Sequence, residues 1–285
     1  MRAAQDRYEV LALSGPLEPA SMLISGSLCD PLLARRTRAW IVEPRGASAR
    51  PAAVVVVIPL GPRSAAASLL CFDPAAAPTV AALLVASPAR RMAGAATHLD
   101  PVAALLPAGR ELRMPLSVVA EADLEPLAEP DPRARLAAPA DLEALDALYD
   151  RFELEVLPAG PRRRRVLAEL VARRRIVVVE EGGLLVGAMR CELRTGRHDW
   201  WSGYTVLPEC RRRGIGRALE REAQGVSFSL GHRMAGATAP TNPIPYPAAY
   251  FTGDDWVERA LPPAPPSTVA RARRKARRTL KRWAP

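Results

Sequence analysis

The spacing of apolar residues changes period several times along the chain, and each change predicts an element. Leu142, Leu145, Leu148, Tyr149 and Phe152 recur three and four residues apart, so a helix is expected to open at Pro139-Ala140-Asp141. A second helix is predicted over residues 161–174, with Val166, Leu167, Leu170 and Val171 facing inward. Then the period shortens. Arg175-Ile176-Val177-Val178-Val179-Glu180-Glu181 reads as a β-branched strand, Gly182-Gly183 as a hairpin turn, and residues 184–193 as the returning strand. Residues 200–207 make a third strand, and a glycine-bearing loop then leads into a helix over residues 214–224.

The first half repeats this rhythm in weaker form. Arg38-Ala39-Trp40-Ile41-Val42-Glu43 echoes the strand at 175, residues 53–60 echo its returning partner, and Ser68-Leu69-Leu70-Cys71-Phe72-Asp73-Pro74 resembles residues 203–208. A helix over residues 75–84 follows, without a glycine loop before it. The self-similarity points to two copies of one α/β unit, the first degenerate. The Pro- and acid-rich passage 121–140 marks a boundary near Pro130, which gives a first unit over residues 1–130 and a second over 131–261. Leu261-Pro262-Pro263-Ala264-Pro265-Pro266 then opens a stiff linker and a tail over 262–285.

Composition adds few constraints. With 285 residues, 49% hydrophobic and 25% charged, the chain is that of a globular protein with enough length for two cores. The longest apolar stretches are too short to span a membrane, and no apolar signal core follows Met1, so a cytoplasmic location is expected. Cys29, Cys71, Cys191 and Cys210 form no C-x-x-C pair, and only three histidines are present, so neither a metal site nor a disulfide framework is expected. The net charge of +10 is concentrated in the tail, where eight Arg and Lys residues and no acid lie between residues 267 and 285, leaving the body close to neutral. Only two of the 40 basic residues are lysines, a bias that weakens arginine abundance as a sign of nucleic-acid binding.

Chemistry concentrates in Tyr204-Thr205-Val206-Leu207-Pro208-Glu209-Cys210-Arg211-Arg212-Arg213-Gly214-Ile215-Gly216-Arg217-Ala218-Leu219. A strand ends in proline, passes two glycines one residue apart, and opens into an amphipathic helix. Backbone N–H groups at such a helix start project outward with the positive end of its dipole, and glycine lets a pyrophosphate approach the backbone closely. Arg211, Arg213 and Arg217 add full charges beside the same anion. A dinucleotide fold of the Rossmann type would need a third glycine where Leu219 stands. The remaining reading of the residues alone is a tight β-α turn with a solvated arginine face.

The run resembles the acyl-coenzyme A-binding segment of the GNAT superfamily of N-acyltransferases: Arg211, Gly214 and Gly216 stand at the motif positions, behind the strand, proline, hairpin and two helices that the family also has. The likeness covers residues 133–256. It implies a mixed α/β fold, with two GNAT-like units in tandem, mostly antiparallel sheets flanked by helices, and a basic helical tail. It also implies that acetyl-CoA is the acyl donor, that Thr205 and Val206 pair with the pantetheine arm where the strand splays, and that Cys210 and residues 211–217 (Arg211, Arg212, Arg213, Gly214, Ile215, Gly216, Arg217) hold the pyrophosphate. Asn242 falls where the family often places a coenzyme-proximal asparagine.

Direct transfer to an amine needs a base and an acid. The family's usual glutamate is missing from Trp200-Trp201-Ser202-Gly203-Tyr204, which leaves His198 and Asp199 as the nearest candidates. Aligning Asp255-Trp256 with the family's Gly-Phe pair puts Phe251 at the usual tyrosine position, with Tyr250 beside it as the candidate acid. One of Trp200 and Trp201 is expected in the core, while the other could line an acceptor pocket. Cys210 is read as incidental.

The expected reaction is transfer of an acetyl or other acyl group to a primary amine of a small molecule, peptide or protein. The basic tail keeps a second enzyme reading open, an acyl transfer from aminoacyl-tRNA in which residues 267–283 contact RNA as an amphipathic helix. The missing glutamate and displaced tyrosine keep open a third, a catalytically silent module that binds CoA or nucleic acid.

Overall fold

A computed structural model describes residues 1–44, 46, 50–61, 64–123, 131–151, 160–237 and 250–261. In the first part of the chain the elements are β1 (Arg2–Ala3), α1 (Arg7–Ser14), α2 (Met22–Cys29), α3 (Pro31–Ala34), β2 (Arg38–Val42), β3 (Ala53–Gly61), β4 (Ser64–Cys71), α4 (Ala77–Ala86), β5 (Ala89–Ala95), α5 (Ala96–Ala103) and β6 (Glu111–Val119). The later part supplies β7 (Ala134–Leu136), α6 (Leu142–Asp150), α7 (Pro161–Ala172), β8 (Ile176–Glu181), β9 (Leu184–Arg194), β10 (His198–Val206), α8 (Ile215–Ser229), β11 (Arg233–Ala237) and β12 (Phe251–Ala260).

These elements gather into two compact units that do not follow chain order. One takes Met1–Val10, Arg35–Leu112 and the chain from Val257, and the other takes Leu11–Ala34 and Arg113–Trp256. Helices α2 and α3 and most of β6 lie in the first half of the sequence yet belong to the second unit. The division proposed near Pro130 falls in residues 124–130, which lie outside the described residues, as do Asn242 and the basic tail.

In the first unit β2, β3 and β4 form an antiparallel ladder, and β5 joins β4 in parallel. Residues 53–58 of β3 are all essentially buried, which their unbroken apolar run requires of a strand covered on both faces. Val80 and Leu84 of α4 and Leu99 and Val102 of α5 complete that core. Between β4 and α4 the Asp73 carboxylate accepts from the Ala75 N–H at 2.9 Å, and Pro74 and Pro78 supply no N–H at all.

The second unit carries the longer run of predicted elements. β7, β8, β9 and β10 are antiparallel, β11 runs parallel to β10, and β6 closes against β11 with Met234 opposite Val119 and Ala237 opposite Leu116. Leu145, Leu148 and Tyr149 of α6 and Leu167, Leu170 and Val171 of α7 pack into one core with Val177, Val178 and Val179 and with Ile215, Leu219 and Ala223 of α8. Each of the leucine, valine and isoleucine side chains among them stabilises the fold by about 1.5–3 kcal/mol relative to exposure. The borrowed segment is fixed by polar contacts as well: the buried Arg175 guanidinium donates to Asp30 at 2.7 Å, and Thr195 and the His198 ring both meet Glu18 at 2.8 Å. Each unit is thus a mixed α/β layer with a mostly antiparallel sheet and flanking helices, as expected. No helix among the described residues is long and apolar enough to cross a membrane.

Candidate active site

The strand β10 sets the geometry of the site. Along one edge it pairs with β9 from Asp199 to Val206, whereas along the other it meets β11 only from His198 to Trp200. Residues 201–206 therefore present an edge to which no described strand is bonded. Within that stretch the β9 ladder slips between Ser202 and Thr205, where two residues of β10, Gly203 and Tyr204, oppose the single Met189, and this is a β-bulge. The strand's backbone is thus splayed from one neighbour and kinked against the other at the same place.

Past Val206 the chain turns through Pro208–Cys210 into α8. Arg212 and Gly214 both take left-handed backbone conformations, with φ of 62° and 79°. Gly214 is the residue before the first helical turn, and a side chain there would carry the full strain of that conformation. None of the N–H groups of residues 212–217 is bonded to a described residue, and the first four donors of a helix have no partner within it. They form an outward-facing set of donors at the positive end of the helix dipole.

Three of the four arginines there form no ion pair with a described carboxylate. Residues 211–214 and Arg217 are exposed, and no carboxylate pairs with Arg211, Arg212 or Arg217 among the described residues. Arg211 folds back so that Nε donates to the Val206 carbonyl at 3.3 Å. Arg213 is committed elsewhere: it donates to Glu181 at 2.7 Å and leans on the Cys210 sulfur at 3.8 Å. Of the three arginines expected around the anion, Arg213 ties the loop to the end of β8, while Arg211 and Arg217 are exposed and form no ion pair with a described carboxylate. Thr205 is buried with its hydroxyl donating to the Gly203 carbonyl at 3.1 Å, and Val206, Ile215 and Gly216 line the passage from strand to helix.

The candidate bases are placed differently from the sequence expectation. Asp199 is wholly buried, and its carboxylate receives both Arg194 donors at 2.8 Å, the Ser227 hydroxyl and the His232 ring, both at 3.0 Å. Ser227 accepts in turn from the Trp201 indole at 2.8 Å. His198 is buried against Glu18. Burial alone would raise the Glu18 carboxyl, but the hydrogen bonds from His198 and Thr195 outweigh it and hold the group below its ordinary value. Asp199 stands four residues before the bulge, about 13 Å along the strand. A sealed carboxylate with every oxygen occupied secures the strand's entrance and does not face an incoming amine.

The remaining aromatic calls separate cleanly. Trp201 lies in the core under α8, and Trp200 stacks on Trp256 with ring centroids 4.6 Å apart, so both are core residues. Phe251 opens strand β12, not a helix, and the buried Tyr250 immediately precedes it. Two residues on, the Thr252 hydroxyl donates to the carbonyl of Leu116, which faces Ala237 at the far end of β11. The sequence reading passed over Arg190 and Glu192 and placed Tyr149 only on the apolar face of its helix; the three cluster behind the bulge. The available signal was two charges spaced by two residues on an otherwise apolar strand.

A model of the acetyltransferase (GNAT) family matches residues 142–244. No curated protein matches the chain. Among solved structures, a GCN5-related N-acetyltransferase from Kribbella flavida is 17% identical, with 91% of this chain and 97% of that one covered and a TM-score of 0.57. A tandem GNAT protein from the clavulanic acid biosynthesis pathway is 16% identical over 92% of this chain and 95% of that one, with a TM-score of 0.53. A GCN5-related N-acetyltransferase from Sphaerobacter thermophilus is 15% identical over 75% and 78%, with a TM-score of 0.55. At these identities the likeness is one of fold. The family model covers the strand, the gap and the glycine loop described above, so that residues 142–244 are similar to the GNAT family of acetyltransferases in sequence and the chain is similar to its members in fold.

Proposed function

We propose that the second unit transfers an acyl group, acetyl first among them, from acyl-coenzyme A to a primary amine. The observation that carries this reading is the edge of β10 over residues 201–206, to which no described strand is bonded, running straight into N–H groups of residues 212–217 that are bonded to no described residue. An extended pantetheine arm needs a strand edge with free amide groups, and a diphosphate needs several N–H donors at a positive dipole. Here the two requirements meet end to end. Thr205 and Val206 flank the arm, and residues 211–217 take the diphosphate, with Arg211, Arg212 and Arg217 supplying charge and Arg213 anchoring the loop.

The reaction is a displacement at the thioester carbon. A bond forms from the amine nitrogen to that carbon and the carbon–sulfur bond breaks; the ammonium loses a proton and the departing thiolate gains one. Main-chain N–H groups at the bulge receive the oxygen as it becomes negative. Tyr250 is the proposed proton donor to the thiolate, which its neutral phenol allows at physiological pH. With His198 and Asp199 enclosed in the strand's entrance, the proton from the amine leaves through another group or through water.

Release of free thiol from acetyl-CoA across a panel of amines, among them spermidine, tyramine and a lysine peptide, tests the reading. Transfer to at least one amine is expected. Tyr250→Phe should lower kcat about a hundredfold with the KM for acetyl-CoA little changed, general acids contributing on that order. Thiol release equal to the protein-free rate with every amine would contradict the catalytic part of the proposal.

A further inference from the structure

Behind the bulge of β10 lies a cation that the reaction described above does not use. Arg190 on β9 is opposite Ser202, and its side chain is only 5% exposed. Its NH2 group is hydrogen-bonded to Glu192, whose own side chain is one-third exposed. Its NH1 group is fully enclosed and has no partner. The guanidinium lies 5.9 Å from the centre of the Tyr149 ring, and the Tyr149 hydroxyl is likewise buried without a partner.

The other side of the guanidinium is Gly203. A Cβ at that residue would stand 2.6 Å from NH1 and 2.8 Å from Cζ, so no side chain fits while Arg190 holds its place. Gly203 also has a φ of 66°, which a side chain would disfavour on its own. Arg190 in this place thus requires a glycine at the bulge. A cation removed from water is costly, and leaving one of its donors unmatched is more so. Holding β9 against α6 does not need it, because an apolar side chain of the same length would do so without that penalty.

We propose that Arg190 is a positioning residue for the thioester: its guanidinium props the bulge at Gly203 and directs positive charge toward the carbonyl oxygen received there. This rests on the reading that the pantetheine arm lies along β10. Enclosure makes the charge effective, since a field crossing a few ångströms of packed protein is screened far less than one crossing water. The Glu192 carboxylate bonded to the guanidinium offsets part of that charge and keeps the cation tolerable in the folded state.

The carbonyl stretch of bound [1-13C]acetyl-CoA, read by isotope-edited infrared spectroscopy without any acceptor, tests the role. In the wild type the stretch should move to lower wavenumber than for the free ligand. Arg190→Met should lose that downshift, Arg190→Lys should keep part of it, and Glu192→Gln should deepen it. Gly203→Ala, which displaces the guanidinium, should lose it as Arg190→Met does and serves if that variant fails to fold. An undiminished downshift in Arg190→Met or Gly203→Ala at saturating ligand would overturn the proposal while leaving the donor reading intact. Failure of the wild type to bind acetyl-CoA would instead refute the donor reading, and the role of Arg190 with it.

Discussion

The carboxylate of Asp199 shows how position in a strand decides what an acid is for. Its two oxygens face two arginine donors, a hydroxyl and an imidazole with no exposure to solvent, so both are fully engaged in the native state. Removing one member of a buried, hydrogen-bonded charge pair costs about 3–5 kcal/mol. Asp199→Ala should therefore lower stability to denaturant by about that amount, while protein that remains folded binds acetyl-CoA as tightly as the wild type. A loss of activity at unchanged stability would restore Asp199 to a chemical role. Gly214 is the opposite case, exposed and nearly free of neighbours, so that its φ of 79° constrains the residue and its packing does not. The sequence announced Gly214 through the spacing of the motif. It said nothing of the Asp199 network, whose members Arg194, Ser227 and His232 come from three different places in the chain.

At the scale of elements, what could be read from the sequence was whatever is locally periodic. The hairpin of β8 and β9, the helices α6 and α7, and the passage from β10 to α8 all follow from apolar spacing and turn residues within a short window. The short strand β11, its pairing with β6 and the edge left on β10 do not, because a splayed pair is defined by hydrogen bonds that are absent. The docking of the segment Leu11–Ala34 was equally invisible, since its contacts with Arg175, Thr195 and His198 cross most of the chain. That docking should depend on pH. Glu18 has a folded-state value below its ordinary one, so its contribution is present above about pH 4.5 and is lost as pH falls through the folded value. Glu18→Gln should cost about 1–3 kcal/mol at neutral pH. It should also flatten the loss of stability on acidification below about pH 4.5, as followed by urea denaturation across pH. A wild type and variant with parallel acid profiles would count against the contact.

For the molecule as a whole, both units are mixed α/β layers, and the proposed diphosphate loop belongs to the second. In the first unit the strand-to-helix passage at Asp73 places a carboxylate on the N–H group that a phosphate would need, and two prolines withdraw further donors. A negative charge at that helix start stabilises the helix and repels an anionic ligand. The full chain should accordingly bind one equivalent of acetyl-CoA and not two, and Asp73→Asn should leave that stoichiometry at one. Isothermal titration calorimetry of acetyl-CoA against the wild type and Gly214→Trp examines the main claim most directly. The account predicts saturable heat with a single site in the wild type and none in the variant at equal folded concentration. Equal heats from the two proteins, or no heat from the wild type, would contradict it.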